Sequence, residues 1–188
     1  MSGGGGDRGG GDGGDGDDTL RGAAGQDILI GGAGVNTADY SAASSGINVN
    51  LATGNAVADG DGGTDTLQQI QNVTGTVFDD IIIGDAVANV LIGGNRNDVL
   101  EGRAGIDTLD GGAGLDTIDY GQAANAIVVD LAANATTDDG DGYSDILIQI
   151  ENVRGSGGAD TIVGSGAVNV LEGDAGNDTL VGAAGNDT

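Results

Sequence analysis

The 188-residue chain contains 41 Gly, no Pro, Trp, Cys or His, a single Phe and three Tyr, and sets 30 acidic side chains against five basic ones for a formal net charge of −25. The lack of Cys and His excludes disulfides, thiolate and imidazole metal sites and the usual general base, and the charge opposes compaction and excludes nucleic acid as a natural partner. With so few aromatic side chains, a core has to be assembled from many small aliphatic layers, and no stretch nears the ~20 apolar residues that span a bilayer.

Residues 1–12 read as a flexible leader or a degenerate repeat; MSGGGGDRGG lacks the charged and hydrophobic regions of a secretory signal. From Gly13 to Asp39 a nine-residue unit recurs as GGDGDDTLR, GAAGQDILI and GGAGVNTAD. A 35-residue segment of different texture follows. In it Ile47, Val49 and Leu51 alternate with polar neighbours, as in a half-buried strand. LQQIQNV, residues 67–73, reads as one further strand.

From Gly75 to Asp119 the nonad returns five times without a gap: GTVFDDIII, GDAVANVLI, GGNRNDVLE, GRAGIDTLD and GGAGLDTID. A second segment repeats the first, with Ile127, Val129 and Leu131 alternating and LIQIENV at 147–153. A third array starts at Gly155 with GSGGADTIV, GSGAVNVLE and GDAGNDTLV and ends inside GAAGNDT. Tyr40 with Tyr120, Asp65 with Asp145 and Asp98 with Asp178 are each 80 positions apart. The chain therefore carries an 80-residue long repeat, about 31–110 and 111–188, each copy with one 35-residue segment. Its length is close to that of two 18-residue coils, so it is expected to continue the solenoid.

The eighth position of the nonad is Leu20, Leu29, Ile82, Leu91, Leu100, Leu109, Ile118, Ile162, Leu171 and Leu180, with Ala38 as the one small occupant. One aliphatic side chain flanked by variable residues is what inward–outward alternation along a short strand requires. Two nonads then make one coil, with strands on opposite faces, and about ten coils stacked at about 4.8 Å give a rod roughly 50 Å long. The fold class expected over residues 13–188 is an all-β parallel β-roll, or β-solenoid.

The first six residues of the unit, G-G-x-G-x-D, form the turn. Glycine adopts backbone angles closed to other residues and leaves its carbonyl uncovered, and the Asp at position 6 adds a carboxylate. Six to eight oxygen ligands in irregular geometry suit calcium better than magnesium, which demands a tight octahedron and keeps its waters. The alternative is that this Asp only caps its own turn, as Asp often does. Like charges stacked in every coil without a counter-ion argue against that. DGDGGTD (59–65) and DGDGYSD (139–145) look like a calcium loop, with Asp59, Asp61 and Asp65 matched by Asp139, Asp141 and Asp145. The EF-hand needs a bidentate Glu at its twelfth place, where Ile70 and Ile150 stand. An additional calcium site and a plain acidic loop both remain open.

Tandem nonads in one frame resemble the repeats-in-toxin (RTX) family of calcium-binding parallel β-rolls; Gly13–Arg21, Gly93–Glu101, Gly111–Asp119 and Gly173–Val181 are the best copies. The resemblance implies a right-handed roll in which calcium is bound by position-6 side chains and by carbonyls of the glycine positions. It points to Asp18, Asp27, Asp80, Asp98, Asp107, Asp116, Asp160, Asp178 and Asp187, with Asn36 as an uncharged oxygen donor. Carbonyls would come from Gly14, Gly16, Gly94, Gly112, Gly114 and Gly176. Stacked pairs are Asp80 with Asp98, Asp98 with Asp116, and Asp160 with Asp178. Asn36, Asn89 and Asn169 weaken their sites, and Phe78, Val87, Arg96 and Ala167 replace the position-4 glycine, Arg96 with a cation beside the proposed ion. About six ions would leave a net charge of about −13, enough for solubility.

By the same resemblance the chain is a calcium-dependent folding module of a secreted bacterial protein, exported unfolded by a type I route and folding outside the cell or at its surface. Its partners would then be calcium ions and the other domains of a longer parent protein. The competing reading is an adhesion or carbohydrate-binding module with a glycan or surface partner, for which only Tyr40, Tyr120, Tyr143 and Phe78 offer aromatic platforms. A disordered acidic chain is disfavoured by the aliphatic periodicity, and an enzyme by the lack of any nucleophile–base pair or cleft.

Overall fold

The computed structural model describes residues 10–188. Twenty strands and no helix occur among the described residues, in two sheets of ten. The regular nonads contribute short strands, most of them three residues long, that contain the eighth position, whose side chain turns inward. Leu29, Ile82, Leu91, Leu100, Leu109, Ile118 and Ile162 are fully buried in one continuous core. Burial of such a side chain contributes about 1.5–3 kcal/mol, so the core gains stability one rung at a time. Leu180, in the strand Thr179–Val181 at the end of its sheet among the described residues, is 44 % exposed.

Within the arrays the strands pair in parallel at an offset of one coil. Ile81–Ile83 pairs with Val99–Glu101, which pairs with Thr117–Asp119. On the other sheet Val90–Asn95 pairs with Thr108–Ala113. Ten strands spaced about 4.8 Å apart make the roll about 45 Å long. Gly10–Asp12 already pairs with Ile28–Ile30, so the end of the expected leader belongs to the roll; residues 1–9 lie outside the described residues.

The 35-residue segments depart from the expectation of two further coils. Asn48–Asn50, Asn55–Ala58 and Asp65–Gln68 form an antiparallel meander laid into one sheet, its outer strands parallel to Ile81–Ile83 and Ile28–Ile30. Val128–Asp130, Ala135–Asp138 and Ile146–Ile148 do the same in the other sheet. Five nonads, an odd number, separate the two segments, so consecutive meanders fall on opposite faces and both sheets reach ten strands. LQQIQNV is not one strand either. Gln69, at φ 55°, turns the chain from Asp65–Gln68 in one sheet to Asn72–Thr74 in the other, and Gln149, at φ 51°, does so in the second copy. The expected alternation of Ile47, Val49 and Leu51 holds, with all three buried.

Candidate metal centres

Along each edge of the roll the sixth positions of the nonads form a ladder. The amide of Asp80 donates to Oδ1 of Asp98 at 2.8 Å, and the amide of Asp98 donates to Oδ1 of Asp116 at 2.8 Å. Asn89 donates in the same way to Asp107, Asp160 to Asp178, Asn169 to Asp187 and Asp18 to Asn36. Each carboxylate thus caps the strand of the preceding coil, and the expected stacked pairs are brought together. Gly at position 1 is demanded by this ladder. A Cβ on Gly102 would lie 2.5 Å from Oδ2 of Asp107, and one on Gly75 would lie 2.5 Å from Oδ2 of Asp80.

The ladder also runs across both meanders, which sequence reasoning missed. The amide of Asp27 donates to Oδ1 of Asp65 at 3.0 Å and that of Asp107 to Oδ1 of Asp145 at 3.0 Å. Asn36 reaches Gln71 and Asp116 reaches Glu151. Gly60–Gln68, GDGGTDTLQ, is therefore a nonad in disguise with Asp65 at its sixth position. The signal lay in Asp65-Thr66-Leu67, the same D-x-aliphatic triad that closes the regular units.

The second carboxylate oxygen separates the rungs into two kinds. At Asp80 it accepts the Thr76 amide at 2.5 Å, while Oδ1 accepts the Thr76 hydroxyl and the Ile47 amide. Asp160 is satisfied likewise by Ser156 and Ile127. At Asp18, Asp98, Asp107 and Asp116, Oδ2 is buried without a hydrogen-bond partner. A buried unpaired carboxylate oxygen is costly, and these four turns lack a Ser or Thr at position 2 to satisfy it. The Asn rungs satisfy themselves: the side-chain amides donate to carbonyls, Asn36 to Gln69 at 3.1 Å, Asn89 to Gln71 at 2.7 Å and Asn169 to Glu151 at 2.6 Å.

Carbonyl oxygens line the gaps between coils. A Cβ on Gly112, at φ 90°, would overlap the carbonyl oxygen of Gly94; Gly32 lies over Gly14, Gly34 over Gly16, Gly114 over Arg96 and Gly176 over Gly158 in the same manner. Gly14, Gly16 and Gly94 present carbonyls to the next coil, whereas Gly112, Gly114 and Gly176 make room for carbonyls below. The Arg96 side chain turns out of this space and lies 5.6 Å from the Phe78 ring centre, while its main-chain carbonyl remains in the gap. Among the described residues no three carboxylates gather round one point. A hard cation here would take two carboxylates at most and complete its shell from carbonyls and water, as calcium does.

Burial pushes Asp98 and Asp107 up to about 7 against the pull of the hydrogen bond each accepts, with neighbouring carboxylates adding to the rise. The same causes bring Asp65, Asp116 and Asp145 to about 6. Tyr40 and Tyr120 are buried and donate to Oδ2 of Asp65 and Asp145 at 3.1 and 3.0 Å, so neither presents an aromatic platform to solvent.

The family model for the RTX calcium-binding nonapeptide repeat matches the chain in four copies, over residues 11–40, 92–127 and 154–188. A search of curated proteins finds no match.

Proposed function

We propose that this chain, which belongs to the RTX calcium-binding nonapeptide repeat family, folds at neutral pH only when calcium neutralises its ladder, and does so outside the cell. Calcium binding and a structural role come with the repeat. The observation that carries the rest is the set of buried, unpartnered Oδ2 atoms of Asp18, Asp98, Asp107 and Asp116, next to carbonyl-lined gaps. Those four side chains are the ligands best supported, with the carbonyls of Gly14, Gly16, Gly94 and Arg96 in the same turns as Asp18 and Asp98. Asp178 and Asp187 stand in the same register in the last coils. Asp80 and Asp160, with both oxygens already bonded to protein donors, and Asn36, whose amide holds its own rung, serve the ladder as struts. A bound calcium ion supplies the positive charge that lets stacked carboxylates stay ionised.

Extracellular calcium modules bind in the range of about 10⁻⁴–10⁻³ M, far above free calcium in a cell, so the chain stays unfolded before export and orders afterwards. Each site at roughly tenfold excess over its dissociation constant adds about 1.4 kcal/mol, and sites shared between coils make the transition steep. The test is circular dichroism and gel filtration of the chain with calcium, with magnesium and with a chelator. Calcium alone should give the compact β signal; a chain equally compact in chelator refutes the reading.

A further inference from the structure

Residues 59–65 and 139–145 lie outside the segments matched by the family, yet they carry buried carboxylates that no regular nonad supplies. Asp59 and Asp139 are each 1 % exposed. Oδ1 of Asp59 accepts the amides of Asp61 and Gly63, both at 2.8 Å, and Oδ1 of Asp139 accepts those of Asp141 and Tyr143. The other oxygen, Oδ2, is buried in both copies without a hydrogen-bond partner. A turn cap uses one oxygen; it does not account for sealing the second, charged one away from water.

The surroundings of Oδ2 are built from oxygen. A Cβ on Gly63 would come within 2.5 Å of it and would overlap the carbonyl oxygen of Gly25, so the two oxygens face one gap. Gly25 is the fourth residue of the turn that ends in Asp27. A Cβ on Gly22, in that same turn, would lie 2.8 Å from Oδ2 of Asp27 and 2.9 Å from Oδ2 of Asp65. The charges of Asp59 and Asp27 both act on Asp65, and the Tyr40 hydroxyl holds Asp65 by its Oδ2. In the second copy Asp145 accepts from the Asp107 amide and from the Tyr120 hydroxyl, the charges of Asp145 and Asp139 both act on Asp107, and Oδ2 of Asp107 is unpartnered, as is that of Asp139. Tyr143 stands there in place of Gly63.

We propose that each meander is clamped to the roll by a hard divalent cation of the calcium class, held by Asp59 with Asp27 and the Gly25 carbonyl at one junction and by Asp139 with Asp107 at the other. This rests on the calcium reading of the ladder but adds to one rung on each edge of the roll a carboxylate, Asp59 or Asp139, that no nonad supplies. Their role is mechanical. The two meanders are where the described chain leaves the parallel stack, and the ion ties each loop back to the preceding turn. At each junction a buried tyrosine donates to the neighbouring carboxylate, Tyr40 to Asp65 and Tyr120 to Asp145, whereas the rungs at Asp80, Asp98 and Asp116 accept from no tyrosine.

The test uses that tyrosine. Terbium, a luminescent stand-in for calcium, is titrated into the calcium-free chain and excited through tyrosine. The emission should rise with the first ions bound and be displaced by calcium. The paired variant Asp59→Asn and Asp139→Asn keeps the Oδ1 turn cap but removes the charge; native mass spectrometry should find two fewer calcium ions, and the tyrosine-excited emission should be lost, while circular dichroism in excess calcium stays β. Full emission and an unchanged ion count in the paired variant overturn the proposal. Should that variant not fold, the wild-type titration decides alone: a chain that folds with terbium without tyrosine-excited emission overturns it too. A chain whose fold ignores chelation but which still shows the emission would refute calcium-dependent folding and leave the junction sites standing.

Discussion

Acid should replace calcium in ordering this chain. The ordinary carboxyl value is 3.8, and in the metal-free fold burial first, and neighbouring carboxylates second, raise Asp98 and Asp107 to about 7 and Asp65, Asp116 and Asp145 to about 6. Because the folded values lie above the unfolded ones, the metal-free fold binds protons more tightly than the unfolded chain. Its stability is intact below about pH 4 and is lost progressively as the pH climbs to about 7. Each tenfold difference in proton affinity is worth about 1.4 kcal/mol. Solvent at the turn edges screens roughly half of that. The five charges then cost the metal-free fold about 9 kcal/mol at neutral pH, against a total stability of about 5–15 kcal/mol for a domain. Calcium-free protein should therefore be disordered at about pH 7.5 and regain most of its β signal at about pH 5, where the surface acids keep it soluble. Far-UV circular dichroism and gel filtration of dialysed protein at the two pH values make the measurement. Equal order at both, or equal disorder at both, would refute the electrostatic argument.

Asp98→Asn keeps the Oδ1 acceptor for the Asp80 amide and removes one charge from the middle of three. The metal-free chain should gain about 2 kcal/mol at neutral pH, and native mass spectrometry should find fewer bound calcium ions; an unaltered ion count would remove Asp98 from the ligands. Gly112→Ala forces a left-handed residue with its Cβ into the Gly94 carbonyl and should cost more than about 2 kcal/mol in calcium. Gly157→Ala, where an added Cβ meets open space, should stay within about 0.5 kcal/mol, and thermal melts compare the two. Leu100→Ala empties a fully buried rung and should cost about 2–5 kcal/mol, whereas Leu180→Ala at the exposed end should cost under about 1 kcal/mol; denaturant titration in saturating calcium tests whether the core is as continuous as its rungs suggest.

What a nonad does was legible in the residues because its chemistry is local. An aliphatic at position 8 with polar flanks forces a short strand, glycine at position 1 leaves room for a carboxylate five residues on, and together these set the β class, the core and the row of acids. What a rung needs was not legible, because its donors come from afar. Asp98 and Asp80 look alike in sequence, yet Asp80 is satisfied by Thr76 and by Ile47, 33 residues away, while Oδ2 of Asp98 is left for an ion. The meanders followed the same division. Ile47, Val49 and Leu51 announced their strand by alternation, but Asn55–Ala58 and Ala135–Asp138 carry no such pattern and are strands only because the neighbours on either side offer unpaired edges. Likewise the nonad hidden in Gly60–Gln68 takes its register from Asp27, 38 residues away. Local sterics and hydrophobic periodicity determined the unit; hydrogen-bond satisfaction between distant coils decided which units join the ladder and which of them are left needing a cation.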